Sequence, residues 1–122
     1  MRKMILVEAS LKLFALYIFL SVLPASSKEC SKRDIVISQG DSGGLEYEVV
    51  IVNECEDSLC DIHVDCGTFS SYKLVDPGVF RRLSPGDCLV LDGGPLPPRR
   101  AIRFVYMNDR KFPMLVKDAI FC

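Results

Sequence analysis

Hydrophobic and polar positions divide the chain near residue 27. Before it, Leu13 to Leu23 (LFALYIFLSVL) runs for about 11 residues without a charge, behind Arg2 and Lys3 and ahead of Pro24 and the small residues Ala25, Ser26 and Ser27. A basic start, a short apolar stretch and a small-residue exit form the pattern of a secretory signal peptide. A membrane-spanning helix needs roughly 20 apolar residues, and Glu8 and Lys12 interrupt any longer window. Residues 1–27 are therefore expected to be a cleaved signal peptide, and 28–122 the mature domain.

Beyond that point the pattern is that of short strands. Asp34 to Ser38 comes first. Tyr47 to Val52 is strongest, and its β-branched run Val49, Val50, Ile51, Val52 suggests burial on both faces. Ile62 to Cys66 alternates, placing Ile62, Val64 and Cys66 on one face and His63 and Asp65 on the other. Cys88 to Leu91 follows a Pro85-Gly86-Asp87 turn. Ile102 to Tyr106 alternates again, and Leu115 to Phe121 closes the chain. Turn signals separate these runs at Gly40 to Gly44, Asp76-Pro77-Gly78, Ser84-Pro85-Gly86, Asp92 to Pro95 and Pro97-Pro98. The pattern predicts an all-β fold, a small antiparallel β-sandwich, with little helix. Gly93 to Arg100 is expected to be a long surface loop.

The length of 122 residues fits one domain, and a formal net charge of -1 lacks the basic footprint of a nucleic-acid binder. All six cysteines, Cys30, Cys55, Cys60, Cys66, Cys88 and Cys122, lie in the mature part. An even number in a short exported chain implies a disulfide framework. So small a domain buries too little apolar surface for a wide margin over chain entropy, and each bridge adds about 2–4 kcal/mol. Six cysteines permit about 15 pairings. The working expectation is Cys30–Cys66, Cys55–Cys60 and Cys88–Cys122.

Candidate chemistry is sparse. Gly40-Asp41-Ser42-Gly43-Gly44 matches the pentapeptide around the nucleophile of chymotrypsin-like proteases, but the only histidine, His63, follows the serine. A flexible loop is the better reading. Cys55, Cys60, His63 and Cys66 imitate a zinc set, yet the spacing matches no strong zinc pattern and secretion favours disulfides. His63 is then a solvated or interface side chain. Asn53-Glu54-Cys55 is only the rare form of a glycosylation sequon. No phosphate-binding glycine loop or paired acid and base stands out, so no enzyme, cofactor or metal is expected. Arg81-Arg82 behind Phe80, and Arg99-Arg100, are the concentrated basic spots, and arginines and aromatics are enriched in binding hot spots.

The cysteine frame and its neighbours carry a resemblance. Cys30 opens CSKRDIVISQG, Tyr47 to Cys55 reads YEVVIVNEC, and Cys60 to Ser71 reads CDIHVDCGTFSS. Val79 to Leu83 (VFRRL), Asp87 to Val90 (DCLV), Asp92 to Leu96 (DGGPL), Phe104 to Tyr106 (FVY) and Cys122 complete it. Over essentially the whole mature chain this resembles the plant TAPETUM DETERMINANT family of secreted cysteine-rich proteins. The resemblance implies an extracellular (apoplastic) ligand whose partner is the ectodomain of a leucine-rich-repeat receptor kinase, acting in anther cell-fate specification. Phe69, Ser70, Ser71, Phe80, Arg81 and Arg82 lie where the resemblance is densest and are the expected receptor contacts, although Phe69 and Phe80 equally suit a sandwich core. Two positions depart from the family pattern. Thr68 stands where the best-known members carry tryptophan, and only Lys28 and Glu29 separate the signal from Cys30, so no basic processing step is expected. A carbohydrate- or wall-binding module, stacking sugars on Tyr72, Phe80 and Tyr106, is the alternative.

Overall fold

The computed structural model describes residues 29–122; the signal-peptide assignment to 1–27 lies outside them. Among the described residues seven strands follow in order: β1 (Ile35–Gly43), β2 (Glu46–Asn53), β3 (Leu59–Asp65), β4 (Phe80–Ser84), β5 (Asp87–Val90), β6 (Ala101–Met107) and β7 (Leu115–Phe121). They form two antiparallel sheets, one ordered β1-β2-β6 and the other β4-β5-β3-β7. The only helical elements among the described residues are two three-residue 3-10 turns, Lys32–Asp34 and Leu91–Gly93. The first is closed by a capping box: the Ser31 hydroxyl accepts from Arg33 N–H, and the Asp34 carboxylate accepts from Ser31 N–H.

The core lies between the sheets. Val49 and Ile51 of β2 with Phe104 and Tyr106 of β6 face Ile62 and Val64 of β3, Cys88 and Val90 of β5, and Phe80 of β4. Phe80 and Phe104 stack across the interface with centroids 4.4 Å apart. The β-branched run in β2 does not bury both faces. Val49, Ile51 and Asn53 point inward and are fully buried, whereas Val50 and Val52 are only half-buried. Their face points outward and is shielded laterally by the flanking strands β1 and β6.

Three further expectations need correction. The glycine-rich pentapeptide is not a loop: β1 continues through it to Gly43, with a register irregularity between Asp41 and Gly43. Gly43 (φ +103°) and Gly44 (φ +58°) adopt the left-handed region that lets the chain reverse into β2. The segment from Gly93 to Arg100 is not simply surface. Leu96 is buried, and its backbone bridges Leu59 with bonds of 2.8 and 3.2 Å. Strand β4 went unread because only Phe80 is buried while Arg81 to Ser84 are exposed. An edge strand without alternation leaves no period-two trace.

All six cysteines are oxidised, but the working pairing is wrong at every bridge. The bonds are Cys30–Cys55, Cys60–Cys122 and Cys66–Cys88, with Cα separations of 5.8, 5.8 and 6.0 Å. The reason is register. Ile35 lies opposite Asn53, so the residues just outside β1 and β2 bring Cys30 to Cys55. Cys60 lies opposite Ile120, two residues from Cys122. Val64 lies opposite Cys88, two residues from Cys66. Each bridge fastens two neighbouring antiparallel strands near their ends.

Candidate functional site

The expected contacts begin on the long connection between β3 and β4, and one aromatic residue anchors it. Phe69 is buried, with its ring edge-on to Phe80 (5.2 Å between centroids), Tyr106 (5.2 Å), Phe112 (5.8 Å) and Phe104 (6.5 Å). Phe80 is also buried, at 1% exposure. These two side chains fill the sandwich and are removed from the expected contact surface.

Ser70 and Ser71 are tied into the fold by hydrogen bonds. The Ser71 hydroxyl accepts from Met107 N–H at 2.9 Å and donates to the Lys73 carbonyl at 2.6 Å. Asn108, itself buried, donates its side-chain amide to the Ser70 carbonyl and hydroxyl at 3.2 and 3.1 Å. Tyr72 N–H donates to the Met107 carbonyl at 2.8 Å. Residues 70–73 are thereby pinned along the end of β6. What this backbone presents to solvent is Tyr72, 64% exposed, and Leu74, 90% exposed. Leu45 in the β1–β2 turn, 47% exposed, lies at the same end because its carbonyl accepts from Asn108 N–H. Lys73 pairs with Glu46 at 3.2 Å beside them. Thr68 is exposed and its hydroxyl accepts from Arg110 Nη2 at 2.9 Å, while the Arg110 guanidinium lies 5.1 Å from the centre of the Phe112 ring.

Arg81 and Arg82 are exposed on the edge strand β4. Arg81 pairs with Asp92 at 2.8 Å and lines a shallow cleft of about 220 Å³ with Pro77, Gly78 and Asp92. The structure does not bring these arginines to Ser70 and Ser71 through any hydrogen bond or ion pair among the described residues. Arg99, of the second basic pair, is held by Glu56.

His63 is half-buried on the outward face of β3, and its Nδ1 lies 2.7 Å from the Asp87 carboxylate of β5. Ser42 sits on the other sheet, exposed in β1. The sulfurs of Cys55, Cys60 and Cys66 are each bonded to a different partner, so none is a thiolate for a metal. Asp34 lies beside the Cys30–Cys55 bridge, but both of those sulfurs are likewise committed.

Besides Asn108, two buried polar groups escaped the sequence reading. Asn53 donates its amide to the carbonyls of Asp57 (2.8 Å) and Leu96 (3.0 Å) and accepts from Cys55 N–H at 2.9 Å. Its backbone also exchanges bonds with Arg99 N–H and the Arg100 carbonyl. One side chain thus ties both loops at that end to β2. Its inward parity with Val49 and Ile51 was the available signal. The other group is the Tyr106 phenol, which donates to Gln39 Oε1 at 2.6 Å and accepts from Phe112 N–H at 3.0 Å. Gln39 in turn donates to the Phe112 carbonyl at 2.7 Å. Burial raises the phenol above its ordinary value, opposed by the Phe112 N–H. Of the three aromatics offered as a sugar platform, only Tyr72 is exposed, because Phe80 and Tyr106 are in the core.

Comparison with known proteins places this frame. A family model described as Tapetum determinant 1, C-terminal, matches residues 31–122. The chain is similar to TPD1 protein homolog 1 of Arabidopsis thaliana, 47% identical over 96 residues that cover 73% of this chain and 54% of the relative. It is also similar to TPD1 protein homolog 1B of Oryza sativa subsp. japonica, 40% identical over 95 residues covering 73% and 56%, and to homolog 1A of the same species, 41% identical over 99 residues covering 70% and 44%. The chain thus spans about half the length of the curated relatives it matches. No solved structure matches it. With a family match over residues 31–122, which hold five of the six cysteines, and relatives at this identity, the chain belongs to the Tapetum determinant 1 family.

Proposed function

We propose that this protein is a secreted, extracellular signalling ligand recognised by the ectodomain of a leucine-rich-repeat receptor kinase, acting in plant cell-fate specification such as that of the anther tapetum, and that it acts by binding, without catalysis. The observation that carries the reading is membership of the Tapetum determinant 1 family across residues 31–122. Three features support it. Three disulfides in a small β-sandwich suit an oxidising compartment. No helix among the described residues is long and apolar enough to cross a membrane. The site presents apolar and charged side chains on a pinned backbone, the make-up of a protein contact.

The test is a screen of the oxidised protein against a panel of leucine-rich-repeat ectodomains, run beside a pull-down on cell-wall polysaccharides. Saturable binding to one ectodomain with no retention on polysaccharide is expected. Retention on polysaccharide with no ectodomain bound would instead establish the wall-binding module.

A further inference from the structure

We propose that the Cys60–Cys122 bond is a site of thiol–disulfide exchange, and that a dithiol reductant opens it and releases strand β7 while the other two bridges stay closed. Access sets the order. Cys66 and Cys88 are both at 0% exposure inside the sandwich. Cys30 is buried at 6%, an Asp57 carboxylate oxygen stands 3.9 Å from its sulfur, and an Asp34 carboxylate oxygen lies within 4.8 Å of both sulfurs of that bridge. An incoming thiolate meets burial at the first of these bonds, and burial with negative charge at the second. Cys122, by contrast, is exposed and Cys60 half-buried, so theirs is the one bridge with a cysteine at the surface. Exposed disulfides are the labile ones, because exchange depends on a thiolate reaching a sulfur.

The bond also holds a strand that has little else to hold it. β7 is an edge strand, paired with β3 alone. None of its side chains is fully buried: Val116 and Ala119 pack against the core, while Leu115, Ile120 and Phe121 are 64%, 48% and 60% exposed. Its ladder with β3 shifts register between Cys60 and His63 and again between His63 and Val64. The first shift falls at Asp61, whose backbone is left-handed (φ +46°). Phe112 and Met114, just ahead of β7, are buried and keep that end in place. The far end is fixed by Cys60–Cys122, so opening the bond lets β7 peel back from there and leaves the edge of β3 unpaired. The chemistry is a two-electron exchange. A reductant thiolate attacks Cys122 Sγ, the S–S bond breaks, and Cys60 leaves as a thiolate and takes up a proton. The second thiol of the reductant then gives up its proton and attacks the mixed disulfide, closing a disulfide on the reductant and freeing Cys122, which is protonated in turn.

The experiment uses the secreted, oxidised product of the full chain. Limiting dithiothreitol in one arm and limiting reduced thioredoxin in the other are followed over time by iodoacetamide trapping and peptide mass mapping. The arm that opens the bond identifies the reductant as a small dithiol or a protein. Cys60 and Cys122 should alkylate at least about tenfold faster than the other cysteines. In the protein trapped at that stage, hydrogen exchange should speed at least about tenfold at the amides of β7 and stay within about twofold in β2 and β6. Reoxidation before trapping should restore the protection of β7. A variant carrying both Cys60→Ser and Cys122→Ser should show the same open β7 with no reductant, and the trapped wild type carries the test if that variant is not secreted. If another bridge opens first, if all three open together, or if neither dithiol opens Cys60–Cys122, the proposed order is wrong. If β7 stays protected after Cys60 and Cys122 are alkylated, the bond does not hold the strand. Either result overturns the proposal and leaves the ligand reading untouched.

Discussion

Replacing Asn53 by aspartate changes one atom's identity and almost no volume. In the native protein the Asn53 amide nitrogen donates to two carbonyls, at 2.8 and 3.0 Å, and a third, of Pro97, lies at 3.4 Å. The side chain is fully buried. The substituted carboxylate would turn an oxygen toward those carbonyls and place a charge in the interior. Loss of the donor removes the bond to the carbonyl of Asp57, an exposed residue, while the Leu96 carbonyl keeps its bond from Leu59 N–H. An orphaned buried group costs about 1–3 kcal/mol, and an unpaired buried charge about 3–5 kcal/mol. The charge dominates, so Asn53→Asp should lose about 4 kcal/mol at neutral pH. Asn53→Ala, which orphans Cys55 N–H as well but adds no charge, should lose about 3 kcal/mol. That is a large part of the roughly 5–15 kcal/mol typical of a domain. The assay is urea unfolding of the secreted, oxidised variants by circular dichroism and tyrosine fluorescence, since the chain has no tryptophan. The pH dependence separates charge from lost bonding. Burial among carbonyls raises the folded-state pKa of the new carboxyl, so its contribution is kept below its unfolded pKa of about 3.9 and lost as pH rises. The deficit of Asn53→Asp should therefore shrink toward a pH of about 3, whereas that of Asn53→Ala should not. An Asn53→Asp protein within about 1 kcal/mol of wild type, or one whose deficit is flat with pH, would refute the reasoning.

Other consequences follow from the same packing. Phe69→Ala should cost about 3–5 kcal/mol, because four rings lose their common neighbour, and Ser70→Ala well under half of that, since Asn108 keeps the Ser70 carbonyl; both are read from urea midpoints. Non-reducing peptide mapping should recover Cys30–Cys55, Cys60–Cys122 and Cys66–Cys88, and any other set would overturn the strand registers. Loop entropy ranks the loss of Cys60–Cys122, which spans 62 residues, at about 4 kcal/mol. Cys66–Cys88 spans 22 and starts at about 3 kcal/mol, but both sulfurs are fully buried and their removal adds about 1–2 kcal/mol of lost packing. The paired alanine variant of Cys66 and Cys88 should thus be the less stable of the two. Because burial raises the Tyr106 phenol, the unfolded chain gives up this proton first, and stability should fall as pH rises above about 10; Tyr106→Phe should be less stable at neutral pH but lack that part of the alkaline decline.

Much of the fold was legible because alternation survives wherever one face is buried. Ile62, Val64 and Cys66 read inward and are inward, and His63 and Asp65 read outward and are outward. The failures have definite causes. Strand β4 shows no alternation because it is an edge strand buried at Phe80 alone. Leu96 was read as loop because a single buried residue between prolines carries no period, yet it bridges to Leu59. The disulfide pairing was out of reach because it follows from which strands neighbour each other and in what register, and local spacing holds neither. At the site, the sequence pointed to the segment Phe69-Ser70-Ser71 but not to how its side chains are placed. A phenylalanine followed by serines gives no sign that the ring goes inward, that the serines cap the backbone, and that the next apolar residues, Tyr72 and Leu74, remain outside.

The proposal that a disulfide-latched sandwich presents a preformed surface to a receptor kinase is tested most directly by titrating the secreted protein, oxidised and then fully reduced, against leucine-rich-repeat ectodomains. Saturable binding of the oxidised form to at least one ectodomain, and its loss on reduction, is the predicted result. Absence of binding in the oxidised form, or equal binding by the reduced chain, would contradict it.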